Sequence, residues 1–410
     1  MWVLLALSLV FVPAAGAAPL IVNANTADPA PRAAWEAVVT RFAHENPGVD
    51  IQLNVYDSES YKRSIRNWLT GAPPDVVFWY AGNRMRQFVA PGLLEDVSDL
   101  YTPQSKSNLH RSTVDLVSVG DRQYGIPYAY YQIGLYFRRD VLTSAGIAAP
   151  PQTWSELVTA CEKLVAKGIE PFAIGTRDLW PAAGWFDYID LRLNGLGFHM
   201  DLMQGRVAYT DSRVREVFMR WRELLDRNCF SRGHASSSWQ ESQALLYEGR
   251  AAMMLIGNFI VANFPPGIRD QIELNAFPVM TPGVGRFEDA PMNTVHIPAR
   301  ARNKEEARAF MRFVLRPDVQ EQLNRATLQI PVNQRARSTD DRFLVRSRQL
   351  LESADGLAQY FDRDTSDEVA NVAMKGFQEF MLYPDRLDII LDGIEKVRLR
   401  VYGAVASVPR

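Results

Sequence analysis

The sequence has almost no excess charge of either sign. Its 45 lysine and arginine residues and 47 aspartate and glutamate residues give a formal net charge of −2 at pH 7. A protein without excess positive charge has no general electrostatic attraction to a nucleic-acid backbone or to an anionic lipid surface. We therefore expect no nucleic acid among its binding partners.

Motifs that carry catalysis are also missing. The sequence has no Gly-x-x-x-x-Gly-Lys-Ser/Thr loop, no His-Glu-x-x-His, no Gly-x-Ser-x-Gly and no Cys-x-x-Cys. The five histidines lack metal-ligand spacing: His44, His110, His199, His234 and His296. We therefore predict that the protein is not an enzyme and holds no metal or cofactor. One alternative stays open, because Asp187 and Asp190 lie in an aromatic-rich segment and paired carboxylates can hydrolyse glycosidic bonds.

Cysteine is scarce, since Cys161 and Cys229 are the only two in the chain. Two thiols alone cannot form a structural zinc site, which needs four ligands. In an oxidising compartment they can form a disulfide. The alternative interpretation is that both are small buried hydrophobic residues.

Long apolar runs are also rare. Residues 2–12 are apolar and uncharged, but they are fewer than the roughly 20 residues that a membrane-spanning helix needs. The small residues Ala15-Gly16-Ala17 follow, as at a signal-peptide cleavage site. We predict a signal peptide over residues 1–17 and export to the periplasm without a lipid anchor, since no cysteine follows the site. The next apolar stretch, residues 251–264, is too short to span a bilayer and is expected to be buried.

Strand and helix patterns alternate over most of the 410 residues. Residues 20–25, 50–55 and 75–78 have the apolar patterns of strands, and helical stripes lie between them. This βαβαβ order is typical of an α/β architecture. At about 150 residues per domain, the length predicts two lobes or more.

Aromatic residues gather at strand ends and in loops. Trp79 and Tyr80 follow the strand at 75–78, at the carboxyl end where open α/β sheets bind their ligands. A flat ring suits the apolar C–H face of a pyranose, and amide or charged side chains bond its hydroxyls. The other aromatic residues placed in this way are Tyr128, Tyr130, Tyr131, Trp180, Trp185 and Trp239. The pattern indicates a sugar ligand.

Six segments resemble, in order, the extracellular solute-binding proteins of carbohydrate ABC transporters, the family that includes maltose- and glucose-binding proteins. The segments are TGAPPDVVFW (70–79), PGLLEDVSDL (91–100), YGIPYAYYQIGLYF (124–137), AGIAAPPQTWSELV (145–158), YEGRAAMMLIGNF (247–259) and KEEARAFMRFV (304–314), the last followed by IPVN (330–333). Their shared order over about residues 20 to 335 makes the resemblance specific.

The resemblance implies an α/β, two-lobed periplasmic binding protein-like type II fold with three hinge crossings. By position, the crossings fall near residues 126–130, 292–297 and 328–333. The expected lobes are residues 18–127 plus 296–330 for the N-terminal lobe, and residues 128–295 plus 331–410 for the C-terminal lobe.

The resemblance also implies a function. We expect the periplasmic substrate-binding protein of a carbohydrate ABC importer, a monomer that holds a mono- or oligosaccharide between its lobes and delivers it to permease subunits in the inner membrane. Two alternatives remain: a secreted carbohydrate-active enzyme, or a same-fold receptor for a non-sugar solute such as a polyamine, iron or glycerol phosphate.

The aromatic pattern and the resemblance together provide candidate ligand-binding residues. Asn25 and Tyr128 are weaker candidates. The expected ligand-binding residues are Trp79, Asn83, Arg84, Tyr130, Tyr131, Trp180, Trp185, Trp239, Asn258, Phe259 and Asn293.

Overall fold

The computed structural model describes residues 18–403, so the predicted signal peptide over residues 1–17 lies outside the described residues. The strands are β1 (Leu20–Ala24), β2 (Ile51–Val55), β3 (Val76–Tyr80), β4 (Ser118–Val119), β5 (Arg122–Gln123), β6 (Ile126–Tyr130), β7 (Ile133–Arg138), β8 (Glu170–Phe172), β9 (Ala251–Gly257), β10 (Ile272–Asn275), β11 (Phe287–Asp289), β12 (Met292–His296), β13 (Ile330–Pro331) and β14 (Gly356–Ala358).

The helices alternate with these strands, as the sequence predicts. They are α1 (Pro29–Glu45), α2 (Ser58–Thr70), α3 (Asn83–Val89), α4 (Pro103–Ser107), α5 (Arg111–Leu116), α6 (Arg139–Ser144), α7 (Trp154–Ala166), α8 (Trp180–Leu193), α9 (Gly195–Met203), α10 (Ser212–Leu225), α11 (Trp239–Tyr247), α12 (Pro266–Arg269), α13 (Lys304–Val314), α14 (Pro317–Thr327), α15 (Arg342–Glu352), α16 (Phe361–Asp364), α17 (Asp367–Leu382) and α18 (Leu387–Tyr402). Short 3₁₀ turns lie at Ser98–Leu100, His234–Ser236, Asn258–Asn263 and Pro384–Arg386. None of the helices within residues 18–403 is long and apolar enough to cross a membrane.

Two separate sheets organise the chain. The first has the strand order β13-β6-β12-β3-β1-β2, in which β1 runs parallel to β2 and β3 while β12 runs antiparallel to β3 and β6. The second has the order β10-β7-β9-β8. Every residue of β3 and of β9 is buried, which explains why both strands are continuous apolar runs.

Each sheet has its own hydrophobic core. Trp35, Phe42 and Phe310 belong to the core around the first sheet, whereas Trp185 and Phe377 belong to a core of the second. Separate cores define two lobes. The two-lobed α/β fold predicted from the sequence is therefore confirmed, including its βαβαβ start from β1 to β3.

The chain passes between the lobes three times: from β6 to β7, from β11 to β12, and after β13 towards α15. Strands β6 and β12 lie entirely in the first sheet, whereas the predicted lobe boundaries cut them after residues 127 and 295. Ladder hydrogen bonds tie all residues of a strand to its neighbours, so the changes of lobe fall at the strand ends.

A disulfide joins Cys161 of α7 to Cys229, which follows α10, with 5.7 Å between their Cα atoms. Both residues are buried in the core of the second lobe. The two cysteines thus form a disulfide and are not two separate buried thiols.

We predict that Cys161→Ala/Cys229→Ala lowers the free energy of unfolding by about 2 to 5 kcal/mol, because the 68-residue separation no longer restricts the unfolded chain. Urea unfolding followed by circular dichroism measures the loss. The single variant Cys229→Ala should lose about as much as the double variant, since either change removes the same bond. Equal stability of the double variant and the oxidised wild type would contradict a stabilising role.

Candidate functional site

A cavity of about 160 Å³ lies between the two lobes. The first lobe contributes residues from the carboxyl ends of β1 and β3 and from the first turns of α1 and α2. The second lobe contributes α8, α11, the turn after β9 and the segment 360–363. Its lining residues are Asn25, Thr26, Asp28, Pro31, Trp35, Ser58, Glu59, Lys62, Tyr80, Tyr128, Tyr131, Ile133, Trp180, Trp239, Phe259, Asn293, Thr327, Gln329, Tyr360, Asp362 and Arg363.

The second lobe supplies an aromatic wall. The ring of Trp180 lies 6.1 Å from Trp239, 6.3 Å from Phe259 and 5.9 Å from Tyr360, measured between centroids. Tyr131 lies 5.5 Å from Phe259. All four contacts are edge-to-face, the arrangement that aromatic pairs prefer, so the rings hold one another in place.

Local backbone geometry positions Trp180 at the start of α8. Leu179, directly before the helix, has a φ of 66°, an uncommon conformation for a residue with a side chain. Gly184 then leaves room for Tyr360, because a Cβ atom there would lie 2.8 Å from the Tyr360 hydroxyl. That hydroxyl donates a hydrogen bond of 2.8 Å to the Trp180 carbonyl. The wall is therefore built by contacts between segments far apart in the sequence.

The first lobe supplies polar groups around one tyrosine. Tyr80 ends β3, and Asn293 of β12 is its direct partner in the sheet. The Asn25 amide donates a hydrogen bond of 3.3 Å to the Tyr80 hydroxyl. Donors and acceptors of this kind can pair with hydroxyl groups of a ligand.

Charged residues at the cavity are mostly paired. Lys62 lies 2.6 Å from Glu59. Burial lowers the pKa of Lys62, but Tyr80, Glu59 and Asp362 raise it more, so the amine stays charged. Burial likewise raises the pKa of Asp362, but Arg84 and Lys62 lower it more, and the carboxylate stays ionised.

Arg84 joins the lobes beside the cavity. Its guanidinium lies 2.8 Å from the Asp362 carboxylate and also pairs with Asp367, and both acids belong to the second lobe. Asn83 donates to the carbonyl of Asp364. Asn83 and Arg84 therefore contact protein across the cleft and do not line the cavity.

A second arginine, Arg363, reaches from the second lobe towards the first. Its guanidinium carbon lies 3.9 Å from the ring centre of Tyr80 and 5.0 Å from that of Tyr131. It also donates to the Tyr131 hydroxyl. A cation on the face of a ring is attracted by the negative charge of that face, so this contact holds the cavity wall across both lobes.

Buried acidic side chains accept hydrogen bonds from the backbone around Asp362 and Arg363. Asp187 accepts a hydrogen bond of 2.8 Å from the Phe361 amide, and Asp364 accepts one of 2.9 Å from the Gln359 amide. Burial, and next the charge of Asp289, raises the pKa of Asp187 well above its ordinary value. The pair Asp187 and Asp190 singled out in the sequence is fully buried and is not among the residues that line the cavity.

Two predicted tryptophans lie in the cores of the lobes. Trp79 is 3% exposed and donates a hydrogen bond of 3.0 Å from its indole to the Arg84 carbonyl. Side chains alternate along a strand, so Trp79 and Tyr80 point to opposite faces of β3. Trp185 is 1% exposed and packs against Phe172.

Two further candidates lie near the chain crossings. Tyr130, at the end of β6, bonds the Thr113 hydroxyl. Asn258 donates a hydrogen bond of 3.2 Å to the Leu328 carbonyl. The structure thus brings together Tyr131, Trp180, Trp239, Phe259 and Asn293, with the weaker candidates Asn25 and Tyr128.

Several residues that line the cavity are not among the candidates predicted from the sequence. Segment 360–363 follows a strand and combines an aromatic ring with both charges, a signal that could have suggested a site. Thr26, Asp28, Glu59 and Lys62 lie at or near helix starts, where polar residues are common for structural reasons and give no such signal. Within residues 18–403, no three or more His, Cys, Asp or Glu side chains are grouped to hold a metal.

Solved structures share this architecture. The bacterial solute receptor AcbH, which has an exclusive substrate preference for β-D-galactopyranose, is 24% identical; the match covers 94% of this chain and 99% of that chain with a TM-score of 0.89. The Thermus thermophilus maltotriose-binding protein is 16% identical, with 94% and 100% covered and a TM-score of 0.74. At these identities the likeness shows the fold.

Relatives found by sequence similarity are also named as binding proteins. An uncharacterized ABC transporter extracellular-binding protein from Pyrococcus horikoshii is 25% identical over 308 residues, which are 73% of this chain and 68% of the relative. The multiple sugar-binding protein of Streptococcus mutans is 21% identical over 294 residues, 69% of this chain and 68% of the relative.

A family model provides the decisive match. The model for bacterial extracellular solute-binding proteins matches residues 16–321, which is most of the chain. This result confirms the family expected from the six sequence segments. The protein with this two-lobed fold and aromatic-lined cavity belongs to the bacterial extracellular solute-binding protein family.

Proposed function

We propose that this protein binds a sugar in the cavity between its lobes and delivers it to the membrane permease of an ABC importer. The observation that carries the proposal is the convergence of indole rings, phenol rings and amides from both lobes on one cavity. Trp180, Trp239 and Phe259 form its aromatic wall, and Tyr80 and Asn293 face it from the first lobe.

This combination suits a sugar because a pyranose has two kinds of surface. Its C–H groups form apolar patches that pack on aromatic rings, and its hydroxyls need directional partners. Asn25, Asn293 and Asp28 provide such partners at the cavity. Small-molecule sites in general combine an apolar lining with a few placed polar groups.

The charges favour a sugar over the other solutes considered. A polyamine carries several positive charges and needs several unpaired carboxylates. Glu59 is paired with Lys62 and Asp362 with Arg84, which leaves only Asp28 among the acids of the lining.

Iron needs a group of ligands, and residues 18–403 contain no cluster of three or more His, Cys, Asp or Glu side chains for it. The hydroxyls of Tyr80, Tyr131 and Tyr360 at the cavity are already hydrogen-bonded within the protein. A binding role, rather than catalysis, agrees with the family.

The relatives support the same role. One is named for binding multiple sugars, one structural neighbour prefers β-D-galactopyranose, and one relative is named as part of an ABC transporter. We further propose a monomer, exported by the signal peptide at residues 1–17, that works in the periplasm without a lipid anchor. Its partner there is the permease in the inner membrane.

The contacts between the lobes suggest that ligand binding changes the relative position of the lobes, which the permease can recognise. Periplasmic binding proteins close about a hinge around their ligand, a general motion of such two-lobed proteins. We propose lobes of residues 18–130 plus 291–337 and 131–290 plus 338–403, which follow the sheets. A ligand that touches both lobes then stabilises the closed form by the contacts that only this form provides.

We predict that Trp180→Ala raises the dissociation constant for the bound sugar about 10- to 150-fold, because the ligand loses an apolar surface comparable to a buried large side chain. Thermal-shift screening of a sugar library identifies the sugar, and titration calorimetry measures the constant. Trp185→Phe is the matched control on the same helix and should leave the constant nearly unchanged. Equal effects of the two changes would contradict the proposed aromatic wall.

We predict that Arg84→Met weakens sugar binding about 10-fold or more without contact between Arg84 and the ligand. The closed form would bury the Asp362 carboxylate with one partner fewer, at a cost of about 3 to 5 kcal/mol that opening the lobes partly relieves. Calorimetry measures the constant, and small-angle X-ray scattering measures the radius of gyration.

Arg66→Met is the matched control for this experiment, because Arg66 is exposed and lies 4.0 Å from the same Asp367. The control should bind like the wild type. If Arg84→Met keeps both the wild-type affinity and the wild-type radius of gyration, Arg84 has no role in closure.

A further inference from the structure

The size of the cavity limits the ligand. Its volume is about 160 Å³. For comparison, an engineered protein cavity of about 150 Å³ holds one benzene molecule. The enclosed space between the lobes is thus closer to the size of one six-membered ring than of two.

Contacts between the lobes also border this space. Arg363 lies across Tyr80 and Tyr131, and Asp362 is bonded to Arg84 of the opposite lobe; all but Arg84 line the cavity. These side chains contact one another and close this border of the cavity. A second sugar ring therefore has no space beyond them. An oligosaccharide that extends in this direction would have to break the contacts that join the lobes.

Two polar groups at the cavity lack a partner. The Thr26 hydroxyl and the Arg363 Nη1 atom are buried and have no hydrogen-bond partner within residues 18–403. Thr26 is 8% exposed and Arg363 is 6% exposed, and both line the cavity from opposite lobes. A buried donor without a partner costs free energy, so a ligand that supplies acceptors to both gains affinity.

The charges at the cavity disfavour an anionic ligand. The lining residues include three acids, Asp28, Glu59 and Asp362, and two bases, Lys62 and Arg363. The balance is slightly negative, and the Arg363 charge already lies on two aromatic rings. An anionic sugar would add a negative charge near Asp28 and Glu59, and like charges repel.

We infer that the ligand is one neutral pyranose, a monosaccharide whose hydroxyl oxygens accept hydrogen bonds from Thr26 of the first lobe and Arg363 of the second. The inference rests on the proposed function and narrows it from sugars in general to a single uncharged ring. Arg363 and Thr26 are then specificity-determining residues that couple ligand binding to contact between the lobes.

Titration calorimetry with the full mature chain tests the size and the charge of the ligand. The probes are glucose, galactose, mannose and xylose, disaccharides of each, and glucuronate and galacturonate. At least one neutral monosaccharide should bind, and its disaccharide and both uronates should each bind at least about 10-fold more weakly.

The outcomes distinguish failure of the single-ring inference from failure of the proposed sugar-binding function. Equal or tighter binding of a disaccharide or a uronate overturns the single neutral ring but leaves the sugar receptor standing. If folded protein binds none of these sugars, nor any other sugar of a wider library, the proposed function fails as well.

Two variants test the predicted contacts. Arg363→Met should raise the dissociation constant of the bound monosaccharide about 10- to 150-fold, and Thr26→Val about 2- to 10-fold, because each loses a hydrogen bond to the ligand. Arg139→Met and Thr40→Val are the matched controls, since Arg139 and Thr40 are absent from the cavity lining.

Circular dichroism confirms that each variant is folded. If Arg363→Met does not fold, Arg363→Lys replaces it, which keeps the charge but removes the guanidinium geometry and should still weaken binding. Wild-type affinity in folded Arg363 and Thr26 variants would overturn the assignment of these contacts.

Discussion

The structure depends on charged groups buried where the two lobes meet. Arg84 of the first lobe is held by Asp362 and Asp367 of the second. Such a pair is stable only while each charge keeps its partner, because a lone buried charge loses its hydration without compensation. The contact therefore favours one relative position of the lobes, and that position forms the cavity. Segment 360–364 is central, since it also carries Arg363 to Tyr80.

The same segment connects the cavity to the core of the second lobe. Asp187 accepts the Phe361 amide, and Asp364 accepts the Gln359 amide, so buried acids replace the water that these amides would otherwise bind. Tyr360 reaches the start of α8 and bonds the Trp180 carbonyl. One short stretch thus orients an arginine, an acid and the aromatic wall together. This explains how a small site is built from distant parts of the chain.

Most rings of the aromatic wall are among the residues predicted from the sequence, but the sequence could not separate rings at the cavity from rings in the core. Trp180 and Trp185 lie on one helix, five residues apart, which is a rotation of about 140° at 3.6 residues per turn. One side chain therefore faces the cavity while the other packs inside. On β3 the alternation of side chains likewise places Tyr80, and not Trp79, at the cavity.

The α/β class, the βαβαβ start and the family could be predicted from the sequence, because they follow from local periodicity and from motif order along the chain. Tertiary structure alone decided which residues share the cavity, that Arg84 bridges the lobes, and that segment 360–363 belongs to the site. Arg84 and Asp362 are 278 residues apart. No local pattern records such a pairing, since it arises only when two independently packed lobes bring their surfaces together.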